Sequence, residues 1–312
     1  LKDIITAQNL GKCYGGFRAL KGISFTVREG ECFGFLGHNG AGKSTTMRMI
    51  YGLSVVDEGQ LNLFGQPVRL TPPAIKSLLG IVPQEDNLDP DLTVLGNLEV
   101  YGGLFGLPRT ESRQRGLQLL DWMGLGDKAA ASVESLSGGL KRRLVIARAL
   151  MNNPKIVILD EPTTGLDPQA RHLVWQKLRS LKNEGVTLLL TTHYMDEATQ
   201  LCDRLVVMHE GAILAEGHPR ELINRLVLPY VIEVHVPLEA IPEQLTEKVS
   251  QFGGEALQVL DGLFLYAVDG KSLWHKLSDW GLPQHACFLR PSNLEDVFLK
   301  LTGKGAMTDG SA

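Results

Sequence analysis

The stretch GHNGAGKST, Gly37 to Thr45, follows a short apolar run and leads into the helix-like TTMRMIYGL. Its G-x-x-x-x-G-K-[ST] spacing predicts a phosphate-binding loop, because glycines let successive main-chain N–H groups turn inward where side chains would block them. Gly37, His38, Asn39, Gly40, Ala41, Gly42, Lys43, Ser44 and Thr45 would surround the phosphates. Lys43 would set its charge against the β and γ phosphates, and the Ser44 hydroxyl would ligate Mg2+. A second apolar run, IVILDEP, ends in a pair of acids. Asp160 is suited to accept a hydrogen bond from Mg2+-bound water, and Glu161 to orient or deprotonate an attacking water.

His193, in LLLTTHYMDE, ends a third apolar run, where a γ-phosphate contact is its expected role. Gln84, in GIVPQEDN, reads by itself as a turn residue, and Tyr14, in GKCYGG, could stack on a base or simply pack. The stretch LSGGLKRR, Leu136 to Arg143, adds a second phosphate-gripping end. There Ser137 and the N–H groups of Gly138 and Gly139 stand at the start of a helix whose dipole favours an anion.

Positioning these groups takes a parallel sheet. CFGFLG (Cys32 to Gly37), KIVILDE (Lys155 to Glu161) and TLLLTTH (Thr187 to His193) are too short for core helices and end in polar residues, as buried parallel strands with chemistry at their carboxyl edge do. Asp167 and Pro168 predict a helix N-cap and first turn, followed by Ala170, Leu173, Val174, Leu178 and Leu181 at helical spacing. The segment from about 92 to 153 reads as a helical insertion broken at Gly102, Gly103, Gly106 and Pro108. GISFTV and the turn-rich Asp57 to Pro67 predict a small antiparallel β element.

After about Arg225 the texture changes. VIEVHV (Val231 to Val236) alternates as a strand, and Asp261-Gly262 between LQVL and LFLYAV predicts a hairpin. SLWHKLSDW and NLEDVFLKLTG read as amphipathic helices, with Trp274 and Trp280 in a small core. The expected organisation is an α/β domain over 1–224 (helical subdomain about 92–153), a small α+β domain over 225–303 and a flexible tail over 304–312.

Composition sets limits on partners. With 31 Lys+Arg against 35 Asp+Glu, the net charge of -4 provides no global basic field for nucleic acid or an anionic membrane. Cys13, Cys32, Cys202 and Cys287 never form a CxxC pair, which fits a reducing compartment better than a zinc site or disulfide framework. No apolar run approaches the roughly 18 residues that span a bilayer.

Tyr14, GHNGAGKST, Gln84, LSGG, ILDEP, Gly165 to Asp167 and His193 succeed one another over roughly residues 3–222. In that order the chain resembles the nucleotide-binding subunit of an ATP-binding cassette (ABC) transporter, a P-loop ATPase with a mostly parallel sheet, an antiparallel β element and a helical signature subdomain. The resemblance implies ATP and Mg2+ as cofactors. Tyr14 would stack on the base; Lys43, Gln84, Glu161 and His193 would be catalytic; Ser44, Gln84 and Asp160 would serve the metal. It also accounts for two phosphate-gripping ends: Ser137, Gly138 and Gly139 would complete the ATP site of a second copy in a head-to-tail homodimer. Leu140 stands where many members have Gln, so any polar contact from that side chain is lost.

The region EDNLDPDLTVLGNLEVYGGLFG, after Gln84, resembles the part that docks on a permease. The ending PSNLEDVFLKLTG is similar to the accessory domain of the daunorubicin-resistance and nodulation-factor export group. This implies export of a drug, lipid or glycolipid-like substrate through a separate type-2 permease, with the chain peripheral to the cytoplasmic face of the inner membrane. The accessory domain either serves that partnership or only stabilises the ATPase dimer. An ABC ATPase of translation or DNA repair would use the same motifs, but would usually carry two cassettes or a long coiled-coil insert. A P-loop kinase would leave LSGG, Gln84 and His193 without roles.

Overall fold

The computed structural model describes residues 2–259 and 262–306, and its contacts divide the chain into two units between Leu214 and Ala215, somewhat before the expected boundary. In the first unit, a four-stranded antiparallel sheet has the order β2-β1-β4-β5, from β1 (Asp3–Tyr14), β2 (Phe17–Arg28), β4 (Glu58–Leu63) and β5 (Gln66–Pro67). A six-stranded sheet has the order β10-β9-β3-β8-β7-β6. Its strands are β3 (Cys32–Leu36), β6 (Leu79–Val82), β7 (Ile156–Asp160), β8 (Thr187–Thr192), β9 (Arg204–His209) and β10 (Ala212–Gly217).

The four pairings that join β6, β7, β8, β3 and β9 are all parallel. Every residue of β3, β7 and β8 is buried, which explains their unbroken apolar sequences: both faces are covered. Phe25 of β2 meets Phe33 and Phe35 of β3 with ring centroids 6.0 and 5.0 Å away, tying the antiparallel sheet to the parallel one. Helices α1 (Lys43–Ile50), α6 (Pro168–Asn183) and α7 (Met195–Leu201) each follow a strand of the parallel sheet. Asp167 caps α6 by accepting a hydrogen bond from the Ala170 N–H, at 2.9 Å.

The insertion holds α3 (Val94–Leu104), α4 (Arg109–Trp122) and α5 (Gly138–Ala149); the short α2 (Pro73–Lys76) precedes it. Gly102 and Gly103 do not break α3 as the sequence predicts; the helix runs through both. A Cβ on Gly102 would lie 2.6 Å from Ser112 Oγ and 2.9 Å from Met151 Cε, so that glycine serves a close approach of helices.

The second unit contains α8 (Pro219–Leu226) and an antiparallel sheet of order β12-β13-β11-β14. Its strands are β11 (Tyr230–Val234), β12 (Glu255–Val259), β13 (Gly262–Ala267) and β14 (Cys287–Pro291), with helices α9 (Leu245–Gln251), α10 (Gly270–Asp279) and α11 (Leu294–Ala306). Strands β12 and β13 pair with Val259 opposite Gly262, while Asp261 of the expected turn lies outside the described residues. Alternation sorts the two faces: Ile232, Val234, Leu263, Leu265 and Cys287 join the core with Leu273 and Leu277 of α10. Glu233, Tyr266 and Arg290 point the other way, to Asp296 of α11 or to one another. Trp274 and Trp280 pack against the core. Helix α11 continues to Ala306, inside the segment expected to be a tail, and residues 307–312 lie outside the description.

Candidate nucleotide site

Between β3 and α1 the chain turns through Gly40 and Gly42 at φ of 84° and 101°, a left-handed backbone that glycine adopts without strain. At Gly42 a Cβ would also stand 2.9 Å from the Ala19 carbonyl and 2.6 Å from Leu20 Cδ2. Lys43, the first residue of α1, is buried and folds back on this loop. Its Nζ donates to the carbonyls of Gly37 at 2.6 Å and His38 at 3.0 Å, and lies 3.6 Å from Glu161 Oε1. Burial draws its pKa below the usual lysine range, opposed by the charges of Glu161 and Asp160.

The end of β7 meets this loop. Ser44 Oγ donates to Asp160 Oδ1 at 3.0 Å, and Thr191 Oγ1 of the neighbouring β8 donates to the same oxygen at 2.5 Å. The Thr191 hydroxyl in turn accepts the Glu161 N–H at 2.9 Å. Glu161 has a φ of 49°, a left-handed conformation that costs a non-glycine residue about 1–2 kcal/mol. Its Oε2 accepts from Thr164 Oγ1 at 3.2 Å. His193 Nδ1 approaches Glu161 Oε1 to 3.3 Å without making a hydrogen bond, leaving a buried ring nitrogen for an incoming group.

A cleft of about 300 Å³ opens over these residues. It is lined by Asn39, Gly40, Gly42, Lys43, Ser44 and Thr45 of the loop, with Glu161, Gln84 and Tyr14, so residues far apart in sequence share one cavity. Tyr14 is held by its hydroxyl against Ser54 Oγ at 3.1 Å and by Lys12 Nζ, 5.1 Å from the ring centroid. Ser137, Gly138 and Gly139 do not line the cleft. They begin α5, where Ser137 Oγ accepts from the Leu140 N–H at 3.4 Å. A Cβ on Gly138 would meet nothing within 4 Å, so this helix start is open.

Three participants escape the sequence reading. Phe17 lines the cleft opposite Tyr14's strand, 68% exposed, yet sits where a β-strand aromatic suggests only packing. Thr191 looks like an ordinary strand residue until its hydroxyl is seen to join Asp160 to Glu161. Arg142, in the basic run KRR, has no role assigned from the sequence, but its guanidinium is buried among main-chain carbonyls at the ends of β6 and β7. Val145, Ile146 and Ala149, three, four and seven residues on, are apolar, and that helical spacing could have placed it inward.

Among the described residues no group of three or more His, Cys, Asp or Glu could hold a metal by itself. The Ser44 hydroxyl beside the Asp160 carboxylate is nevertheless an oxygen pair that fits Mg2+, which takes few protein ligands and completes its shell with phosphates and water. The lysine-and-glycine cradle beside it fits a nucleotide polyphosphate.

Residues 20–164 match the ABC transporter family, and residues 243–303 match the C-terminal domain of the nodulation factor export protein NodI. The chain is 30% identical to the ATP-binding cassette MJ0796, solved as a dimer in a post-hydrolysis state bound to ADP and Pi. That likeness has a TM-score of 0.64 and covers 69% of this chain and 98% of the other. CbiO1 from Clostridium perfringens, part of the ABC transporter complex cbiONQ, is 31% identical with a TM-score of 0.66, over 72% of this chain and 92% of that one. Fold and site thus define an ATP-hydrolysing ATP-binding subunit of the ABC transporter class.

Curated relatives narrow the class. The Nod factor export ATP-binding protein I of Burkholderia orbicola (strain AU 1054) is 47% identical over 300 residues, covering 96% of this chain and 97% of its own. That of Ralstonia nicotianae (strain ATCC BAA-1114 / GMI1000) is 46% identical over 309 residues, covering 96% and 94%. The chain belongs to the Nod factor export ATP-binding protein I family of ABC transporter ATPases.

Proposed function

We propose that two copies of this chain close head to tail around two Mg-ATP molecules and drive an exporter whose membrane path is a separate permease. The observation that carries this reading is the separation of two phosphate-binding ends: Lys43, Ser44 and Glu161 line one cleft, with Asp160 behind Ser44, while Ser137 and its glycines open elsewhere on the same chain. A second copy supplies the missing half. The dimeric MJ0796 cassette supports the symmetry.

In the closed state the loop amides and Lys43 bind the polyphosphate, and Tyr14, with Phe17 beside it, stacks on the base. Mg2+, held through Ser44 and Asp160 with Gln84 nearby, would neutralise charge on the phosphate oxygens. Glu161 accepts a proton from the attacking water, and His193 uses its unpaired Nδ1 region to meet the γ-phosphate or that water. Ser137, Gly138 and Gly139 of the second copy close over the γ-phosphate at a helix N-terminus. Phosphate release reopens the dimer.

No helix among the described residues is long and apolar enough to cross a membrane, so the cargo path is assigned to another chain at whose cytoplasmic face this one sits. The relatives' name supports Nod factor or a similar lipid, glycolipid or drug-like molecule as cargo. The test is mass spectrometry of what co-purifies with tagged Glu161→Gln chain from detergent-solubilised membranes in Mg-ATP. A polytopic membrane protein at near-equal stoichiometry is expected. Ribosomal or DNA-repair proteins captured only from the soluble fraction would overturn the membrane role.

A further inference from the structure

Parallel pairing of β6 with β7 stops at Val82 opposite Leu159. Proline at position 83 has no N–H to continue the ladder, and the chain after Asp160 turns away through the left-handed Glu161, so several carbonyls at these two strand ends need donors. Arg142, one turn into α5, supplies them. Its Nε donates to Pro162 O at 2.9 Å and its Nη2 to Asp160 O at 2.8 Å and Glu161 O at 3.0 Å. Its Nη1 donates to Pro83 O and reaches Gln84 O at 3.5 Å. The side chain is 4% exposed, and each of these acceptors is a neutral main-chain oxygen.

The planar fork of a guanidinium is what such a fan requires, since a lysine ammonium has only three donors radiating from a point. A surface helix would not bury a cation here without return. What the burial achieves is a fixed spacing between the loop that carries Gln84 and the turn that holds Glu161 in a strained conformation. The residue doing this belongs to the helix that begins at Ser137. Strand end, acid turn and signature helix therefore share one polar joint.

We propose that Arg142 is a positioning residue for ATP hydrolysis, locking the main chain of Gln84 and Glu161 into their working register from the signature helix; this rests on the roles proposed above for those two residues. Its contribution is to turnover rather than to ATP capture, because none of its hydrogen bonds reaches the phosphate loop.

The experiment compares the full chain with Arg142→Gln, Arg142→Lys and Glu161→Gln, measuring kcat and KM for ATP per site titrated with a fluorescent ATP analogue, with circular dichroism to confirm folding. The expected result is a kcat lowered about tenfold or more in Arg142→Gln with KM within about twofold, and partial recovery in Arg142→Lys. A folded variant of either kind with wild-type kcat per site overturns the proposal, as does a raised KM at unchanged kcat. A merely structural role would lower the number of titrated sites and leave kcat per site alone. If Arg142→Gln does not fold, Arg142→Lys carries the same criteria. Wild-type turnover in Glu161→Gln would instead remove the Glu161 assignment, and this inference with it; an inactive Glu161→Gln beside fully active Arg142 variants removes the inference alone.

Discussion

Lys43 Nζ stands 3.6 Å from Glu161 Oε1, both side chains buried, with Lys43 satisfied otherwise only by carbonyls of its own loop. The lysine of the phosphate loop and the proposed base thus lie within ion-pair distance of one another, at the cleft where a polyphosphate would compete for the lysine. Lys43→Ala removes the cation and leaves the buried carboxylate without it. ATP turnover should fall by about 100-fold or more, with weakened nucleotide binding. Steady-state phosphate release checks this, and near-normal rates would discard the phosphate-loop role of Lys43.

Glu161→Gln keeps the shape of the side chain, the Thr191 contact to its N–H and the left-handed turn, but cannot take a proton. Hydrolysis should slow by about 10²–10⁴-fold while ATP affinity stays within a few fold. Rapid-quench turnover alongside equilibrium binding separates the two effects. Unchanged turnover would mean another group accepts the proton.

The layout of the candidate site is legible because each candidate group follows a short apolar run whose type is unambiguous: β3, β7 and β8 end next to Gly37, Glu161 and His193. Sequence could not reveal groups whose role depends on what lies across a strand pair. Thr191 acts through β7, and Arg142 acts through β6 and β7 together, so neither has a local signature. The same limit hid β14 and α9 in the second unit, whose apolar positions match no long period by themselves. Gly102 misled for the opposite reason: a helix breaker by propensity, it is required by contact with Ser112.

Glu197, on α7 just after His193, makes a pH prediction. It is fully buried; Thr163 Oγ1 and Trp175 Nε1 both donate to its Oε1, and its Oε2 has no hydrogen bond. Burial raises its pKa above the usual 4.5, against those donors. The folded chain therefore binds this proton more tightly than the unfolded one. The resulting stability is fully present below about pH 4.5 and is lost as pH rises through the folded pKa. Glu197→Gln is neutral throughout and keeps an acceptor for both donors. Its stability relative to wild type should grow as pH rises above about 4.5 in urea unfolding. A gap independent of pH would show that burial does not raise the Glu197 carboxyl.

In the second unit, Asp296 is fully buried and accepts from Tyr266 Oη at 3.1 Å, from Arg290 Nη1 at 2.7 Å and Nη2 at 3.0 Å, and from the Asn293 N–H at 2.7 Å. This carboxylate joins α11 to β13 and β14. Asp296→Ala would leave the buried Tyr266 hydroxyl without its acceptor and the partly buried Arg290 guanidinium with Glu233 as its remaining carboxylate, a loss of about 2–3 kcal/mol. Hydrogen exchange should accelerate in β13, β14 and α11. Protection equal to wild type would mean the apolar core alone holds that sheet.

The strongest test of the dimer reading uses two inactive chains. Ser137→Arg places a bulky cation at the open start of α5 but leaves the chain's own phosphate loop and Glu161 untouched. Lys43→Ala disables the loop but leaves Ser137 free to complete another copy's site. Each homodimer has two defective sites. In a mixed dimer one site combines both defects, and the other combines the intact loop of the Ser137→Arg chain with the intact signature of the Lys43→Ala chain. Mixing at equal amounts should make about half the dimers mixed, each with one working site, and so restore about a quarter of wild-type turnover if sites act independently. Strong coupling between sites would lower that figure without abolishing it. Mixed dimers demonstrated by differential tagging that show no turnover above either parent would place Ser137 outside the second copy's ATP site.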